Sequence, residues 1–470
     1  MKLPVKLDLK AFCSLILKQI FLLIVMFYVA GTASLKAQSI FPLKVSENGR
    51  YLTNSNNNPF FYQADTPWFL FINLDAEDME KFMDIRISQG FNVLQVMALP
   101  MSDQKQTDVN GEKPFQNNDF SLPNEKYWVS VRNGVLLARK KGLLVGLAPA
   151  WKGCCGGDWN QVVLQNGVTK CREYGQFLGK FFAGCDNLYW IQGGDCDPGA
   201  HTDHYREIAL GIKESMPQVL QTYHASSGHS SSDVMNYLDH SWMNLSWTYT
   251  YFPQKHNVWI YLMGLNELPH VYFMNHLEYR KRPIKPFVLG ESQYEGEDSP
   301  SFAPLKASDV VRRQAYWSVL SGGCGHAYGS WNWKVKPDWP NVASDKGANQ
   351  MKHVRSFFES IRWTTLIPDI DLKVIQQGAG NYEKDDFVVA AYTENKSLLV
   401  IYIPPTGIEK RKITLSQEYS IKVAKCLWFN PVTGIYTAAR KYQESKGGLS
   451  FTSPGDNGSG SNDWILLIEK

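Results

Sequence analysis

The segment 187–197 reads NLYWIQGGDCD, a pattern typical of one strand of a parallel sheet and the loop that follows it. Its apolar part, 188–191, is short and rich in β-forming side chains, as in a strand that is buried on both faces. Gln192 ends the run, and two glycines then let the backbone turn sharply and approach a ligand closely. Parallel α/β folds place their chemistry at the C-terminal ends of such strands. Asp195 is therefore a candidate catalytic residue, with the capping of a helix near Thr202 as its alternative role.

Similar strands alternate with helices on both sides of this segment. The predicted strands lie at 60–65, 92–99, 143–148, 188–191, 219–224, 242–247, 287–289 and 324–328. Apolar residues at helical spacing lie between most of them, for example over 75–89 and 169–182. Eight strand–helix units predict an α/β fold of the (β/α)8 TIM-barrel type. A doubly wound sheet would show a glycine-rich phosphate loop after its first strand, and QADTPW at 63–68 is not one.

The pattern changes after Pro368. Residues 371–470 contain short alternating runs such as FVVAAYT and SLLVIYIP, which are separated by Asn, Gly and Pro turns and lack a helical period. Strands at short, regular spacing predict a small all-β sandwich. We therefore expect the barrel domain at 38–368 and the sandwich domain at 369–470, with the sandwich packed mainly against the barrel.

The first 37 residues are predicted to be a signal peptide. Four lysines precede or border an apolar run at 20–30 that is too short to span a bilayer, and small residues follow up to Ala37. We expect a secreted or periplasmic protein without a lipid anchor. Five of the seven remaining cysteines lie between 154 and 196, so disulfides are permitted there. No CxxC or HxxxH spacing indicates zinc, and we predict neither a metal nor a cofactor.

Composition narrows the class of ligand. Charged residues make up 20% of the chain and the net charge is +3. The chain therefore has no strong electrostatic field that would indicate nucleic acid or a membrane as its partner. Aromatic residues make up 13%, which suits a ligand with flat, partly apolar faces, although a large barrel core also contains many aromatic side chains. We expect an oligo- or polysaccharide substrate, no nucleic acid and no stable membrane insertion.

A second stretch, PFVLGE at 286–291, also ends in a glycine and a carboxylate. Because strands four and seven of a barrel lie roughly opposite each other, Asp195 and Glu291 would face one another over the same cleft. Cleavage of a glycosidic bond needs such a pair, an acid for the leaving oxygen and a carboxylate that attacks the anomeric carbon or activates water. No nucleophile elbow supports amide hydrolysis. We predict Asp195 as acid/base and Glu291 as nucleophile of a retaining mechanism, with two structural carboxylates as the alternative.

Other strand ends supply candidates for substrate binding. The predicted residues are Asp65, Trp68, Trp151, Gln192, His224, Tyr249, Tyr251, His326, Trp331 and Trp333. Asp65 has an alternative role as a turn cap with Thr66, and His224 as a structural histidine. The alternative role of each tryptophan is packing in the core, but we expect at least one of them to stack on a sugar ring.

Four motifs together resemble the apiosidase-like glycoside hydrolases of family 140. They are QADTPW at 63–68, WIQGGD at 190–195, GESQYEG at 290–296 and GCGHAYGSWNW at 323–333. The resemblance implies a (β/α)8 barrel followed by a small sandwich often labelled a collagen-binding domain, which WFNPVTG at 428–434 also fits. It further implies an acid/base after strand four and a nucleophile after strand seven, positions that match Asp195 and Glu291. The implied activity is cleavage of branched plant cell-wall pectin that releases apiose-containing side chains.

The chain departs from this family pattern at two places. Ala64 stands where relatives often have glycine, and YHASSGHSS at 223–231 replaces a more usual His-Pro pair near the expected substrate site. The alternative to an enzyme is a non-catalytic carbohydrate-binding protein, or an adhesion protein acting through the sandwich. The carbohydrate-binding alternative gives no reason for two opposed carboxylates, and the sandwich segment shows no basic or aromatic stripe that would fit a collagen triple helix.

Overall fold

The computed structural model describes residues 40–101, 106–153, 157–235, 242–251, 270–296, 306–420, 425–443 and 448–470. The predicted signal peptide and two of the cysteines, Cys154 and Cys155, lie outside the described residues. The five cysteines that are described are free thiols rather than disulfides. Every helix within these ranges is too short or too polar to cross a membrane.

Eight parallel strands between residues 62 and 328 form a barrel. They are β1 (Tyr62–Asp65), β2 (Val93–Met97), β3 (Leu144–Ala148), β4 (Leu188–Gly193), β5 (Gln221–His224), β6 (Ser246–Tyr249), β7 (Phe287–Glu291) and β8 (Gly325–Tyr328). Hydrogen-bonded neighbours follow the order β5-β4-β3-β2-β1-β8-β7-β6, so the ladder runs through the β8–β1 pair. All residues of these strands are buried, because helices cover the outside and side chains fill the inside. The predicted TIM-barrel type is confirmed.

Helices follow the strands around the outside of the barrel. The long ones in the described ranges are α1 (Ala76–Ser88), α2 (Glu125–Lys140), α3 (Asn160–Phe181), α4 (Thr202–Ser215), α5 (Val271–Arg280), α6 (Ala307–Leu320) and α7 (Lys346–Glu359). Side chains cap the N-termini of α1 and α2. Asp75 accepts a hydrogen bond from the Asp78 amide, and Asn124 accepts one from the Lys126 amide. The sequence between the sixth and seventh strands predicts a helix over 258–279. Residues 258–269 lie outside the described ranges, and the described helix there is α5.

The prediction for the sixth strand was wrong in its position. Trp242–Trp247 was expected, whereas the strand runs from Ser246 to Tyr249 and pairs in parallel with β7. Trp242, Met243 and Leu245 are nevertheless buried. An apolar run indicates burial, and a packed loop before a strand satisfies that requirement as well as the strand does.

A short antiparallel sheet precedes the barrel. Its strands are Lys44–Val45, Leu52–Thr53 and Pro59–Phe60. The first two enclose the turn at Asn48-Gly49, where Gly49 has a φ of 73°. Arg50 donates to the Tyr279 carbonyl at 2.9 Å, so this sheet lies at the N-terminal ends of the barrel strands.

The C-terminal part is built from two antiparallel sheets. Its strands are β9 (Leu366–Pro368), β10 (Ile375–Gln377), β11 (Val389–Thr393), β12 (Leu398–Ile403), β13 (Lys412–Leu415), β14 (Lys425–Phe429), β15 (Tyr436–Ala438), β16 (Lys441–Gln443), β17 (Leu449–Thr452) and β18 (Trp464–Glu469). One sheet has the order β9-β11-β12-β18-β14-β15 and the other β10-β13-β17-β16. Both bury apolar side chains in one cluster, so the predicted all-β class is confirmed. The larger sheet includes residues 366–368, the last three of the range assigned to the barrel domain.

The larger sheet packs directly against the barrel helix α6. Tyr316 of α6 stacks on Tyr402 of β12 with ring centroids 4.9 Å apart, and the Trp317 indole donates to the Phe387 carbonyl at 3.2 Å. Every residue of α6 from Ser308 onward is buried, because barrel strands cover one side of the helix and the sandwich covers the other. Barrel and sandwich residues therefore meet in one shared apolar cluster.

Candidate active site

The backbone at the end of β4 has an unusual conformation at three successive residues. Gly193, Gly194 and Asp195 have φ values of 72°, 141° and 54°, a region that residues with a side chain seldom adopt. A Cβ atom on Gly193 would lie 2.4 Å from the Tyr223 ring, and one on Gly194 would lie 2.3 Å from the Trp151 ring. The two glycines are therefore required both by the turn and by the aromatic rings packed against it. This turn places Asp195 at the mouth of the barrel.

Glu291 is the last residue of β7, and it lies beside Asp195. One oxygen of each carboxylate and a ring nitrogen of His224 lie within 4.8 Å of one another. His224 Nε2 is 2.5 Å from Glu291 Oε2, and its Nδ1 is 3.1 Å from the Asp195 amide nitrogen. His224 thus contacts both carboxylate residues. Within the described residues, these three side chains form a group that could hold a metal ion. However, His224 Nε2 and Glu291 Oε2 already form a hydrogen bond with each other.

Two donors hold the Glu291 carboxylate. The Tyr294 hydroxyl donates to Oε1 at 2.5 Å, and Oε2 is bonded to His224. The Trp68 indole in turn donates to the Tyr294 hydroxyl at 2.7 Å. Glu291 is 4% exposed. Hydrogen bonds from both sides stabilise negative charge on a buried carboxylate and fix its orientation.

Asp195 has weaker partners and a different protonation behaviour. Its oxygens accept from the Trp151 indole at 3.3 Å and from the Tyr249 hydroxyl at 3.2 Å. Burial, followed by the charge of Glu291, raises the pKa of Asp195 from 3.8 to about 6. The two carboxylates therefore have unequal environments, as acid and nucleophile require.

The histidine between them also has a shifted pKa. Burial lowers the pKa of His224, but the hydrogen bond to Glu291 and the charges of Glu291 and Asp195 outweigh it, so the pKa is raised overall.

A cavity of about 260 Å³ opens above the two carboxylates. Its lining is largely aromatic, from Trp68, Phe69, Trp151, Tyr251, Tyr294, Trp331 and Trp333. Trp331 is 58% exposed and stands at the rim. Flat apolar faces around a few convergent polar groups are typical of a small-ligand site, and this volume lies just below the usual range of about 300–1,000 Å³.

Comparison with known proteins identifies the family. The model of the apiosidase-like catalytic domain matches residues 46–365, more than half of the chain. The chain belongs to the apiosidase-like family. The family expected from the four motifs is thus confirmed. Residues 367–469 match a second model, described as "Putative collagen-binding domain of a collagenase".

Solved structures agree with this family. A glycoside hydrolase is 25% identical with a TM-score of 0.78, over 92% of this chain and 97% of that chain. A glycoside hydrolase family 5 from Bacteroides vulgatus is 22% identical with a TM-score of 0.77, over 92% and 95% of the two chains. No curated protein sequence matches the chain. This apiosidase-like protein is a glycoside hydrolase.

In this hydrolase, the fold brings most of the predicted site residues together. Asp195 and Glu291 line the cavity with five of the predicted binding residues, namely Trp68, Trp151, Tyr251, Trp331 and Trp333. Tyr249 and His224 lie behind the lining and contact the carboxylates.

Three predicted binding residues lie elsewhere. Asp65 forms a buried ion pair with Arg86 of α1 at 2.7 Å, on the helix side of the barrel wall. Gln192 is buried and donates to the Gln221 side chain at 3.0 Å. His326 is buried apart from the cavity lining, and burial lowers its pKa to about 4. Alternate side chains of a strand face opposite sides, so a position at a strand end does not ensure contact with the cleft.

Several residues of the cavity were not predicted from the sequence. They are Phe69, Met97, Met101, Gly153, Asp158 and Tyr294. Tyr294 matters most, because its hydroxyl connects Trp68 to Glu291. Its signal was present, since it lies three residues after Glu291 within GESQYEG. The others carry no pattern that separates them from ordinary loop or core residues.

Residues 223–231, which depart from the family pattern, form hydrogen bonds with the two residues that follow Asp195. The Ser226 hydroxyl donates to Asp197 Oδ1 at 2.6 Å, and His229 Nδ1 lies 2.7 Å from Asp197 Oδ2. The Tyr223 hydroxyl donates to the Cys196 carbonyl at 2.9 Å. Residues 223–231 therefore fix the backbone that carries Asp195.

Proposed function

We propose that this hydrolase cleaves glycosidic bonds by a retaining mechanism, with Glu291 as nucleophile and Asp195 as acid/base. The observation that carries the proposal is the close approach of the two carboxylates, whose nearest oxygens lie within 4.8 Å. Retaining pairs stand about 5–5.5 Å apart, whereas inverting pairs stand about 6.5–9.5 Å apart to admit a water molecule.

In the first step, Glu291 attacks the anomeric carbon while Asp195 gives its proton to the leaving oxygen. The bond from carbon to the leaving group breaks, and an ester bond to Glu291 forms. The raised pKa of Asp195, about 6, supports the acid role, because the proton is still present in mildly acidic solution. The donors on Glu291 hold its carboxylate in line for attack.

In the second step, water replaces the leaving group. Asp195, now ionised, accepts a proton from that water, and the resulting attack on the anomeric carbon frees Glu291. The sugar thus leaves with the configuration that it had in the substrate. Proton NMR of the first product, recorded before mutarotation, tests this step. An inverted anomeric configuration would exclude the ester.

We also propose pectin side chains that contain apiose as the substrate. Membership of the apiosidase-like family and the small, aromatic cavity support a substrate in which a short branch, rather than the middle of a polymer chain, enters the cavity. The test is a screen of defined pectic side chains, with and without apiose, against wild type and Glu291→Gln. Release of apiose-containing product by wild type alone supports the proposal, and cleavage of apiose-free chains alone contradicts it.

We further propose export, on the sequence pattern of residues 1–37. Protein isolated from the native envelope should then begin near Gln38. N-terminal sequencing that finds Met1 would contradict this.

A further inference from the structure

A second cleft lies on the side of the barrel away from the catalytic cavity. Its lining includes Ile284, which precedes β7, and residues 322–324, which precede β8. The other wall comes from the sandwich, through Leu366 of β9 and Thr393 of β11. The cleft is therefore formed jointly by the N-terminal ends of the barrel strands and the edge of the sandwich. Its volume of about 720 Å³ lies within the usual range for ligand sites.

Aromatic rings and arginines line this cleft together. The Arg50 guanidinium lies 3.7 Å from the centre of the Tyr279 ring, and Trp363 meets Tyr51 edge to face at 5.8 Å. Arg362 is exposed in the same lining. Rings that are partly exposed offer faces for sugars, and the planar fork of a guanidinium matches a carboxylate with two parallel hydrogen bonds. The lining contains one acidic residue, the exposed Glu394.

We propose that this cleft is a second saccharide-binding site, which takes a segment of polymer carrying uronate groups. Two arginines against one glutamate favour an anionic ligand, and the rings favour a sugar over a simple anion. A second site on the same chain would raise the effective concentration of polymer near the catalytic cavity. The inference rests on the saccharide substrate of the proposed function, but its test measures binding rather than cleavage.

The experiment measures binding of an oligogalacturonate to the full chain carrying Glu291→Gln, by calorimetry at low and at moderate salt. We expect binding that weakens as salt rises. Adding Arg362→Ala should weaken it about fivefold, the size of an exposed charge contact. Adding Glu394→Gln should instead strengthen it, because a repulsive charge is lost. Arg355→Ala is the matched control, since Arg355 pairs with Glu359 on α7 outside the cleft and should leave the affinity unchanged.

The opposite signs of the Arg362 and Glu394 variants are decisive. Equal affinity in both variants, or no binding of the acidic oligosaccharide, overturns the inference. Binding of a neutral cello-oligosaccharide with the same affinity overturns the assignment of an acidic ligand. Arg362→Ala in the otherwise wild-type chain should leave turnover of a small aryl glycoside unchanged. A chain that binds here but cleaves no glycoside would contradict the proposed function and leave this site standing.

Discussion

At the scale of single residues, the two carboxylates differ because their neighbours differ. Glu291 is nearly fully buried between two hydrogen-bond donors, whereas Asp195 sits on a strained turn with longer contacts. The pKa of Asp195 is raised to about 6 by burial and by the charge of Glu291. Environment rather than residue type therefore distinguishes the two proposed roles.

The roles predict different responses to neutral substitutions. Asp195→Asn removes the proton donor, so it should abolish turnover of natural glycosides but spare part of the activity on substrates with an activated leaving group. Glu291→Gln removes the nucleophile and should abolish turnover of both. Initial rates on a matched pair of aryl glycosides with good and poor leaving groups measure the difference. Equal loss in both variants on both substrates would contradict the assignment of roles.

The raised pKa predicts the pH profile. The proposed first step needs Asp195 protonated, so kcat/KM on a poor leaving group should fall as pH rises through about 6. The decline should approach tenfold for each pH unit above that value. An activated leaving group needs little protonation and is the control, with a flatter alkaline limb. An alkaline limb of the same midpoint and slope for both substrates would contradict this.

At the scale of elements, the turn after β4 is the feature on which the site depends. Its glycines combine a positive φ with close contact to aromatic rings, and Trp151 in turn bonds to Asp195. The ends of β4, β5 and β7 then supply Asp195, His224 and Glu291 to one place. Parallel strands in a barrel bring their C-terminal ends together, which is why residues far apart in the chain meet.

The turn can be tested with two alanine substitutions. Gly184→Ala, at a φ of 89° with no atom within 4 Å of its added Cβ, should cost about 1–2 kcal/mol of stability and spare activity. Gly194→Ala should cost more, because the Trp151 ring must move. It should also lower kcat by displacing the donor to Asp195. Urea unfolding and kinetics on both variants provide the measurement, and equal effects of the two would contradict the role of the turn.

At the scale of the whole molecule, barrel and sandwich are joined by charge as well as by packing. Arg312 of α6 donates twice to Asp463 at 2.7 Å, and both side chains are fully buried. Tyr402 and Asn457 of the sandwich also donate to this carboxylate. Asp309 also pairs with Arg312 at 2.9 Å, but loss of Asp463 would remove two hydrogen bonds and one of two counter-charges from this buried guanidinium.

Removing one partner should therefore be costly. Asp463→Ala leaves Arg312 buried with less compensation, and we expect a loss of about 3–5 kcal/mol in the free energy of unfolding. Glu469→Ala breaks an exposed pair with Lys425 and should cost less than about 1 kcal/mol. Chemical denaturation of the two variants measures the difference. A similar, small loss in both would show that the buried pair does not hold the domains together.

Deletion of 369–470 tests the sandwich as a whole. The deletion exposes Tyr316, Trp317 and Phe357, which contact Tyr402, Phe387 and Phe429 of the sandwich. We expect solubility and stability to fail before the chemical step changes. A soluble, stable truncation with normal kinetics on small substrates but without polymer binding would instead make the sandwich a binding module.

Local patterns in the sequence were sufficient for the fold class and for locating the carboxylate pair. Hydrophobic periodicity and glycine–carboxylate endings depend on a few adjacent residues, so the barrel, the sandwich, Asp195 and Glu291 could all be named in advance. The direction in which a side chain points depends on neighbours distant in sequence. Only the tertiary structure therefore placed Asp65 against Arg86, Gln192 against Gln221 and Tyr294 against Glu291. The same holds for the pKa of Asp195, because burial and a charge from another strand exist only once the chain is folded.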